Sequence, residues 1–466
     1  MTALASGSPG RLTLDALVEL VKAGEVETVL VVFPDLYGRL VGKRMTGRFF
    51  VEDAAHGMHA CDYLLACDME MDPVPGYAFT SWEKGYGDVL CVPDLGTLRR
   101  AAWLEKTAIV LCDVLDEKSE KPVEVAPRRM LARQVERARA MGFVPKGASE
   151  IELYLFKETY DTAREKGWQG LRTFGSYIED YSILQGTKED PLVGAIVRAL
   201  ERSGVPMESS KGEWGPGQQE INLRYSELVE QADRSVLYKH AAKEIAHQQG
   251  LAVTFMAKWD EKHAGSSAHE HLSLWSADGA TNVFDGDEEL ADSGVRSSER
   301  FRHFLGGWMA HAAELVAFWA PNVNSYKRYQ AGSFAPTGIA WSDDNRTAGF
   351  RVVGHGPALR IECRIPGADA NPYVAFAASL AAGLDGIENR IEPPPVFAGD
   401  VYAAKSLPRV PATLRQAIAN LEGSKFARKA LGDDVVDHYL HYLRTEQRKF
   451  DEVVTSWERA RFFERV

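Results

Sequence analysis

The sequence contains little cysteine, no block of basic residues and no long uninterrupted apolar run. Its five cysteines are odd in number and widely spread, without a CxxC spacing. This excludes a disulfide framework or a zinc knuckle and predicts reduced thiols in a cytoplasmic protein. The formal net charge is −12, so we expect neither nucleic acid nor a membrane as a partner, and small-molecule chemistry is favoured.

Targeting and transmembrane segments are not evident either. The first residues show no basic stretch followed by an apolar one, so no secretory signal peptide is expected. The most apolar long stretch, residues 304–320, is interrupted by His311 and Glu314. It is also shorter than the roughly 20 residues that span a bilayer, so we predict a buried helix there.

Length and patterning indicate more than one domain. The chain has 466 residues, of which 45% are hydrophobic and 26% charged, and this favours two or three compact domains. An amphipathic helix at 14–21 and two strands joined by a turn at 34–38 are predicted first, and residues 50–120 are rich in turns. Residues 122–127 form a break before a helix that ends near Gly142. We place the boundary there, giving domains 1–125 and 126–466 in an α+β fold.

Four short segments alternate polar and apolar residues, which predicts strands with one polar face each. They carry Glu150 and Glu152, then Glu220, then His269, His271 and Ser273, and last Arg360, Glu362 and Arg364; Glu213 precedes the second segment. A solvated strand face would explain any one of these segments alone. Because four share the pattern, we predict one sheet whose polar faces form a concave site.

The residue types on this face predict bound divalent cations. Five glutamates and an imidazole suit Mg²⁺ or Mn²⁺ better than zinc or calcium, and two or three ions per site are expected. Five arginines could bind carboxylate and phosphate oxygens and stabilise a phosphoryl group in transfer, or form ion pairs that hold loops: Arg328, Arg346, Arg351, Arg360 and Arg364. Neither GxxxxGK[ST] nor GxGxxG nor GxSxG occurs, which excludes P-loop, Rossmann and nucleophile-elbow designs.

These residues lie in motifs that resemble the glutamine synthetase family over nearly the whole chain. The matching motifs are the Glu-x-Glu strand at 150–152, GPGQQEINLRY at 215–225, TFMAKW at 254–259, GSSAHEHLSLW at 265–275, NSYKR at 324–328, DNRTAGFRVVG at 344–354 and RIECRIPGADANPY at 360–373. The resemblance implies an N-terminal β-grasp domain and a catalytic domain around a curved antiparallel sheet. It also implies a homo-oligomer, a dodecamer of two hexameric rings, with each active site shared between neighbouring subunits.

The resemblance also implies a role for each site residue. Ligands of the first metal would be Glu152, Glu213 and Glu220, and ligands of the second would be Glu150, His269 and Glu362. Glutamate or the transferring phosphate would be bound by Gly265, Arg328, Arg346 and Arg364, with Arg346 and Arg364 catalytic. ATP, the co-substrate, would contact His271, Ser273, Arg351 and Arg360.

The sequence departs from the family where the family binds ammonium. The loop that supplies an ammonium-binding aspartate is replaced by residues 60–65, in which only Asp62 offers a carboxylate. Phe334 stands where the family has a flap glutamate that accepts a proton, and Ala264 replaces an asparagine beside glutamate. A benzyl group cannot bind a compact cation by charge, so Phe334 fits a carbon-bearing amine, with Tyr177 as a second candidate for the amine pocket.

We therefore predict an ATP-dependent ligase that joins the γ-carboxylate of glutamate to an amine other than ammonia through γ-glutamyl phosphate. The base that deprotonates the amine would be Asp62 from a neighbouring subunit, or Glu152 or Glu213. One alternative is a true glutamine synthetase that uses ammonium. Others are a ligase for a different acid, which Ala264 leaves open, and a non-catalytic regulatory or structural relative.

Overall fold

The computed structural model describes residues 9–290 and 293–466. The first part of the chain forms one sheet with two flanking helices. Its elements are α1 (Leu14–Lys22), β1 (Thr28–Pro34), β2 (Leu40–Thr46), α2 (Gly47–Glu52), β3 (Met58–Cys61), β4 (Asp88–Pro93), β5 (Arg99–Arg100) and β6 (Thr107–Asp116). The strand order is β2-β1-β6-β4-β3, with β5 beside β6. The predicted first helix and hairpin are confirmed.

The turn-rich stretch 50–120 holds more regular structure than the sequence analysis indicated. It contains β3 to β6, and β6 pairs with both β1 and β4 at the centre of the sheet. β6 and β1 run parallel. The β6 sequence is a nearly continuous apolar run, which periodicity alone does not identify as a strand.

The rest of the chain builds a larger sheet covered by helices. Its elements are α3 (Pro127–Ala140), β7 (Phe143–Phe156), α4 (Tyr160–Glu165), α5 (Ile183–Arg202), β8 (Met207–Gly212), β9 (Gln218–Leu223), β10 (Ser226–Glu227), α6 (Leu228–Gln248), β11 (Ala252–Thr254), β12 (Ala268–Ser276), β13 (Glu288–Glu289), β14 (Arg296–Ser297), α7 (Glu299–Trp319), β15 (Trp341–Asp343), β16 (Phe350–Val353), β17 (Arg360–Cys363), α8 (Pro372–Asn389), α9 (Leu414–Glu422), α10 (Lys425–Leu431), α11 (Asp433–Asp451) and α12 (Ser456–Phe462).

The larger sheet has the order β15-β16-β17-β12-β7-β9-β8, with β10 and β11 also paired to β7. Its pairs are antiparallel apart from β15 and β16, which run parallel. The expected antiparallel sheet is therefore a curved, mixed sheet. The parallel pair lies at one edge of the sheet and does not include β7, β9, β12 or β17.

Local sequence explains the helices that support this sheet. α3 begins with Pro127 in its first turn, where the missing N–H has no cost, as predicted. α7 is buried along most of its length, which confirms the predicted buried helix. Among the helices of the described residues, none is both long and apolar enough to cross a membrane.

The core lies under one face of the larger sheet and leaves the other face free. Ile151, Leu153 and Leu155 of β7 are buried with Leu237 and Ala241 of α6. Since side chains alternate along a strand, Glu150 and Glu152 project from the opposite face. The division into 1–125 and 126–466 remains a prediction, and α3 begins two residues after that boundary.

Candidate active site

The polar residues of the four predicted strands lie on one face of the larger sheet. The strand register pairs Glu150 with His269 and Glu152 with Glu220. It also pairs His271 with Glu362. Directly paired residues project to the same side of a sheet, so the expected gathering of carboxylates and imidazoles is observed.

At one end of this face, Glu152, Glu213 and Glu220 bring oxygen atoms within 4.8 Å of one another. The Ser267 hydroxyl and amide donate to Glu152, at 2.5 and 2.8 Å. Burial and the charge of Glu213 raise the pKa of Glu152 to about 7. Burial and the charge of Glu150 raise the pKa of Glu220 well above its usual range. The surroundings therefore do not neutralise the charge that three ionised carboxylates would carry there.

Towards the middle of the face, both histidines contact Glu150. His269 Nδ1 lies 3.2 Å from Glu150 and 3.3 Å from Glu362, and His271 Nε2 lies 3.0 Å from Glu150. Ligand atoms cluster as Glu150, His271 and Glu362, and also as Glu150, Glu220 and His269. His271, predicted for ATP, therefore also belongs to a candidate metal cluster. Burial and the charge of Arg364 lower the pKa of His269 to about 4, which keeps its imidazole neutral.

Both clusters fit divalent cations. In the Glu152 group, carboxylates close together in a buried place raise one another's pKa, and a cation of charge +2 would reverse that effect. In the Glu150 group, a neutral imidazole and two carboxylates give a donor set that Mg²⁺ or Mn²⁺ accepts.

Glu362 links the metal-binding face to the predicted arginines. Its side chain is fully buried and accepts hydrogen bonds from Arg364 at 2.5 Å and Arg351 at 2.9 Å. Burial by itself raises the pKa of Glu362, but the charge of Arg364 and the neighbouring histidines outweigh it and hold the value at about 2. Arg351 also pairs with Asp344.

Arg328 and Gly265 lie against each other, as expected for one binding site. A Cβ at Gly265 would come within 2.4 Å of Arg328 Cγ, so a larger residue would displace this arginine. Arg328 is buried, donates to the Ile365 carbonyl and has an unpartnered Nε. The Nε of Arg364 is also buried without a partner. A buried guanidinium donor without a hydrogen-bond partner costs free energy, and an anion bound here would supply that partner.

The structure does not bring Arg346 into this cluster. Arg346 is exposed on the loop between β15 and β16. It follows Asp344, the partner of Arg351, by two residues, and its catalytic role stays a prediction.

A cavity of about 490 Å³ opens beside Glu150 and His271. Its wall includes the predicted ATP residues Ser273 and Arg360, and Arg360 Nε donates to His271 Nδ1 at 3.3 Å. The rings of Tyr225 and Trp275, which also line it, are parallel within 14° with centroids 6.5 Å apart. Lys146 lies 3.7 Å over the Trp275 ring. Flat aromatic walls next to cations suit a nucleotide base and its phosphates.

Phe334 contacts Trp214, the residue that follows Glu213 in the chain. Its ring meets that of Trp214 edge to face, with centroids 6.1 Å apart. Phe334 has φ of 56°, a conformation that an aromatic residue adopts only when its surroundings impose it. Tyr402 supports the loop, since its hydroxyl donates to the Ala335 carbonyl at 3.0 Å. Tyr177 is half-exposed, on a segment whose Glu179 amide donates to the Glu213 carbonyl at 3.3 Å.

Asp62 lies in the N-terminal sheet domain. It begins a short 3-10 turn after β3, and its Oδ1 is buried without a partner. Burial raises the pKa of this carboxyl. Its neighbours Thr80 and Gly87 belong to the same part of the chain.

Sequence analysis did not single out several residues of the site. Lys146 and Trp275 continue the alternation along the polar faces of β7 and β12, so the sequence pattern could have identified both residues. Lys211 forms an ion pair with Glu213 and is paired with Glu220 across β8 and β9. No sequence pattern marks Trp214 as a site residue, because only the folded chain brings it into contact with Phe334.

Comparison with known proteins places this site in a known family. The model for "Glutamine synthetase, catalytic domain" matches residues 124–462. Gamma-glutamylethanolamide synthetase GlnA4 of Streptomyces coelicolor is 45% identical over 98% of this chain and 96% of its own length. Glutamate–isopropylamine ligase of a Pseudomonas species is 34% identical over 96% and 97%. The solved structure of GmaS without ligand has a TM-score of 0.83 at 28% identity, covering 96% of this chain and 99% of that one.

Proposed function

Since the chain belongs to the glutamine synthetase family and is an ATP-dependent carbon–nitrogen ligase for glutamate and an amine, we propose that its amine is a carbon-bearing amine other than ammonia. The observation that carries this proposal is the ring pair formed by Phe334 and Trp214, the residue that follows the predicted metal ligand Glu213. Both rings are about half-exposed, at 49% and 51%. Aromatic surface offers a hydrocarbon chain contact area, whereas ammonium has no carbon to bury there.

The names of two relatives favour a small amine. The 45% identical relative is a gamma-glutamylethanolamide synthetase and the 34% identical one is a glutamate–isopropylamine ligase. Ethanolamine and short branched monoamines are therefore the first substrates to try. A site for a polyamine would need several carboxylates along an extended channel.

The chemistry begins with activation of the γ-carboxylate. Oxide is a very poor leaving group, so transfer of the γ-phosphoryl group of ATP to the carboxylate first makes γ-glutamyl phosphate and ADP. The amine nitrogen then attacks the carbonyl carbon, and phosphate leaves. Arg328 and Arg364, with their unpartnered Nε groups, are placed to bind the two anions and stabilise charge on the phosphoryl group.

Two sets of side chains would hold divalent cations, Mg²⁺ or Mn²⁺. Glu152, Glu213 and Glu220 form the first set; Glu150 and Glu362 with His269 or His271 form the second. When bound, such ions neutralise phosphate charge and align the reacting groups. Glu362 also orients Arg351 and Arg364 through its two oxygens.

The amine must lose a proton before it attacks, because a free alkylamine is mostly protonated at neutral pH. Within the chain, Glu213 is the more accessible carboxylate, since both oxygens of Glu152 already accept hydrogen bonds. Asp62 of a neighbouring subunit is the other candidate. It requires the proposed dodecamer of two hexameric rings, with sites shared between neighbouring subunits.

The test is phosphate release by the purified protein with Mg²⁺, ATP and glutamate. Ammonium is compared with ethanolamine, isopropylamine, other monoamines, polyamines and arylamines, and product masses are measured. We expect a carbon-bearing amine to give the highest kcat/KM and its γ-glutamyl amide. Preference for ammonium would make the protein a glutamine synthetase. No turnover with any amine would favour a different acid or a non-catalytic role.

A further inference from the structure

Trp214 is held rigidly in the turn between β8 and β9. The Glu213 amide donates to the Gln218 carbonyl at 2.8 Å on one side of it. On the other side, the Gly215 amide donates to Gln218 Oε1 at 2.9 Å. A Cβ at Gly215 would come within 1.8 Å of the Tyr154 hydroxyl, so the turn is packed against the buried sheet. The backbone that carries the indole is therefore fixed, one residue after Glu213.

Phe334 meets the indole from a second element. The chain holds Phe334 at φ of 56° and fixes the next residue through the hydrogen bond from Tyr402 to Ala335. Maintaining an aromatic residue in this conformation costs free energy, and the surrounding contacts must offset it. The two half-exposed rings thus form an aromatic edge of the site on the side of Glu213, and each ring is held by a separate segment of the chain.

We propose that Trp214 is a specificity-determining residue that contacts the carbon chain of the amine, with Phe334 opposite it. This inference rests on the proposed function and goes beyond it by assigning the discrimination between a carbon-bearing amine and ammonium to one side chain. The indole offers an apolar face to methylene groups, whereas ammonium has no carbon to bury against it. Each methylene buried there changes affinity by about fourfold.

Lys211 and Asp180 shape the charge at this edge. The ammonium group of Lys211 pairs with Glu213 and lies 4.4 Å over the ring of Tyr181, and Asp180 lies 3.8 Å from Lys211. Together, the two carboxylates and the one ammonium group leave this edge with one net negative charge. The edge therefore suits an amine with one positive charge.

The experiment compares Trp214→Ala and Trp214→Phe with the wild type and with Trp168→Ala. Trp168 is exposed to a similar extent, 59% against 51%, and lies on a separate loop after α4, which makes it a matched control. Steady-state kinetics are measured for an alkylamine series, ethanolamine, ammonium, glutamate and ATP. Thermal melting and gel filtration check folding and assembly.

We expect Trp214→Ala to raise the KM of the preferred amine about tenfold, to flatten its dependence on chain length, and to leave kcat/KM for ammonium within about twofold. Trp214→Phe, which keeps a ring and is less disruptive, should lose less. If the wild type makes the amide but Trp214→Ala behaves like Trp168→Ala, or loses amine and ammonium activity equally, the inference is wrong and the proposed function stands. If the wild type uses only ammonium, both are wrong.

Discussion

Replacing Tyr402 by phenylalanine removes one hydroxyl that holds the loop carrying Phe334. That hydroxyl donates to the Ala335 carbonyl at 3.0 Å. A neutral hydrogen bond of this kind contributes about 1 kcal/mol net. The left-handed conformation of Phe334, with φ of 56°, costs about 1 to 2 kcal/mol. The two quantities are similar in size, so loss of the bond should shift the loop measurably towards open conformations, by roughly fivefold in population.

An open loop would have two kinetic consequences. The KM for the amine should rise about fivefold, because the ring of Phe334 is no longer held opposite Trp214. Phosphate release in the absence of amine should also increase, because water then reaches γ-glutamyl phosphate. The KM for ATP should not change, since the cavity beside His271 lies elsewhere on the sheet.

The assay measures phosphate release with and without amine for the wild type, Tyr402→Phe and Tyr160→Phe. Tyr160 is the matched control, because its hydroxyl donates to the Val253 carbonyl at the same 3.0 Å in a different part of the domain. The reasoning is refuted if Tyr402→Phe and Tyr160→Phe have the same amine KM and the same amine-independent phosphate release.

Three further predictions concern the metal clusters and one buried histidine. Glu150→Gln should lower glutamate-dependent phosphate release at least about a hundredfold, with partial recovery at high Mg²⁺, because a ligand shared by both histidine clusters is weakened; unchanged turnover would contradict the assignment. Chelation should abolish turnover and lower the Tm. Because Glu220→Gln relieves carboxylate repulsion, it should raise the Tm of the metal-free protein and reduce the further rise in Tm that added Mg²⁺ produces. Differential scanning calorimetry checks both Tm changes. Burial lowers the pKa of His438 to about 4. As the pH falls from about 6.5 to 4, the unfolded chain therefore binds a proton that the folded chain does not bind. The free energy of unfolding decreases by about 1.4 kcal/mol per pH unit over this range. His438→Gln should flatten that part of the stability profile in urea titrations between pH 4.5 and 7, and a profile equal to that of the wild type would exclude this role.

Much of the fold followed from local patterns. The first helix, the hairpin of β1 and β2, the start of α3 at Pro127 and the buried α7 depend on short-range signals: periodicity, turn residues and helix capping. The segment at 107–116 was not identified, because an apolar run buried in a sheet has no distinctive period. The parallel pairing of β15 with β16 was also missed, since pairing direction is set by how the chain returns to the sheet.

The candidate site was predicted in its residue types more completely than in its geometry. The period of two placed Glu150 with Glu152, and His269 with His271, on polar strand faces. It could not say that His271 shares a cluster with Glu150 and Glu362, because that depends on the register between β12, β7 and β17. Arg346 matched a family motif, yet its side chain is exposed on a loop. Location in the cytoplasm, the dodecamer and the metal count stay predictions.

The sequence by itself determined the family, the ligase chemistry and which side chains can hold metal ions, because alternation along single strands and motif spacing are properties of neighbouring residues. Only the tertiary structure decided how those strands lie beside one another, and so which carboxylates repel and which are neutralised by Arg351 and Arg364. It also decided that the rings of Trp214 and Phe334, 120 positions apart in the chain, meet edge to face. Charge and ring contacts act across a few ångströms of space, and the fold alone sets those distances.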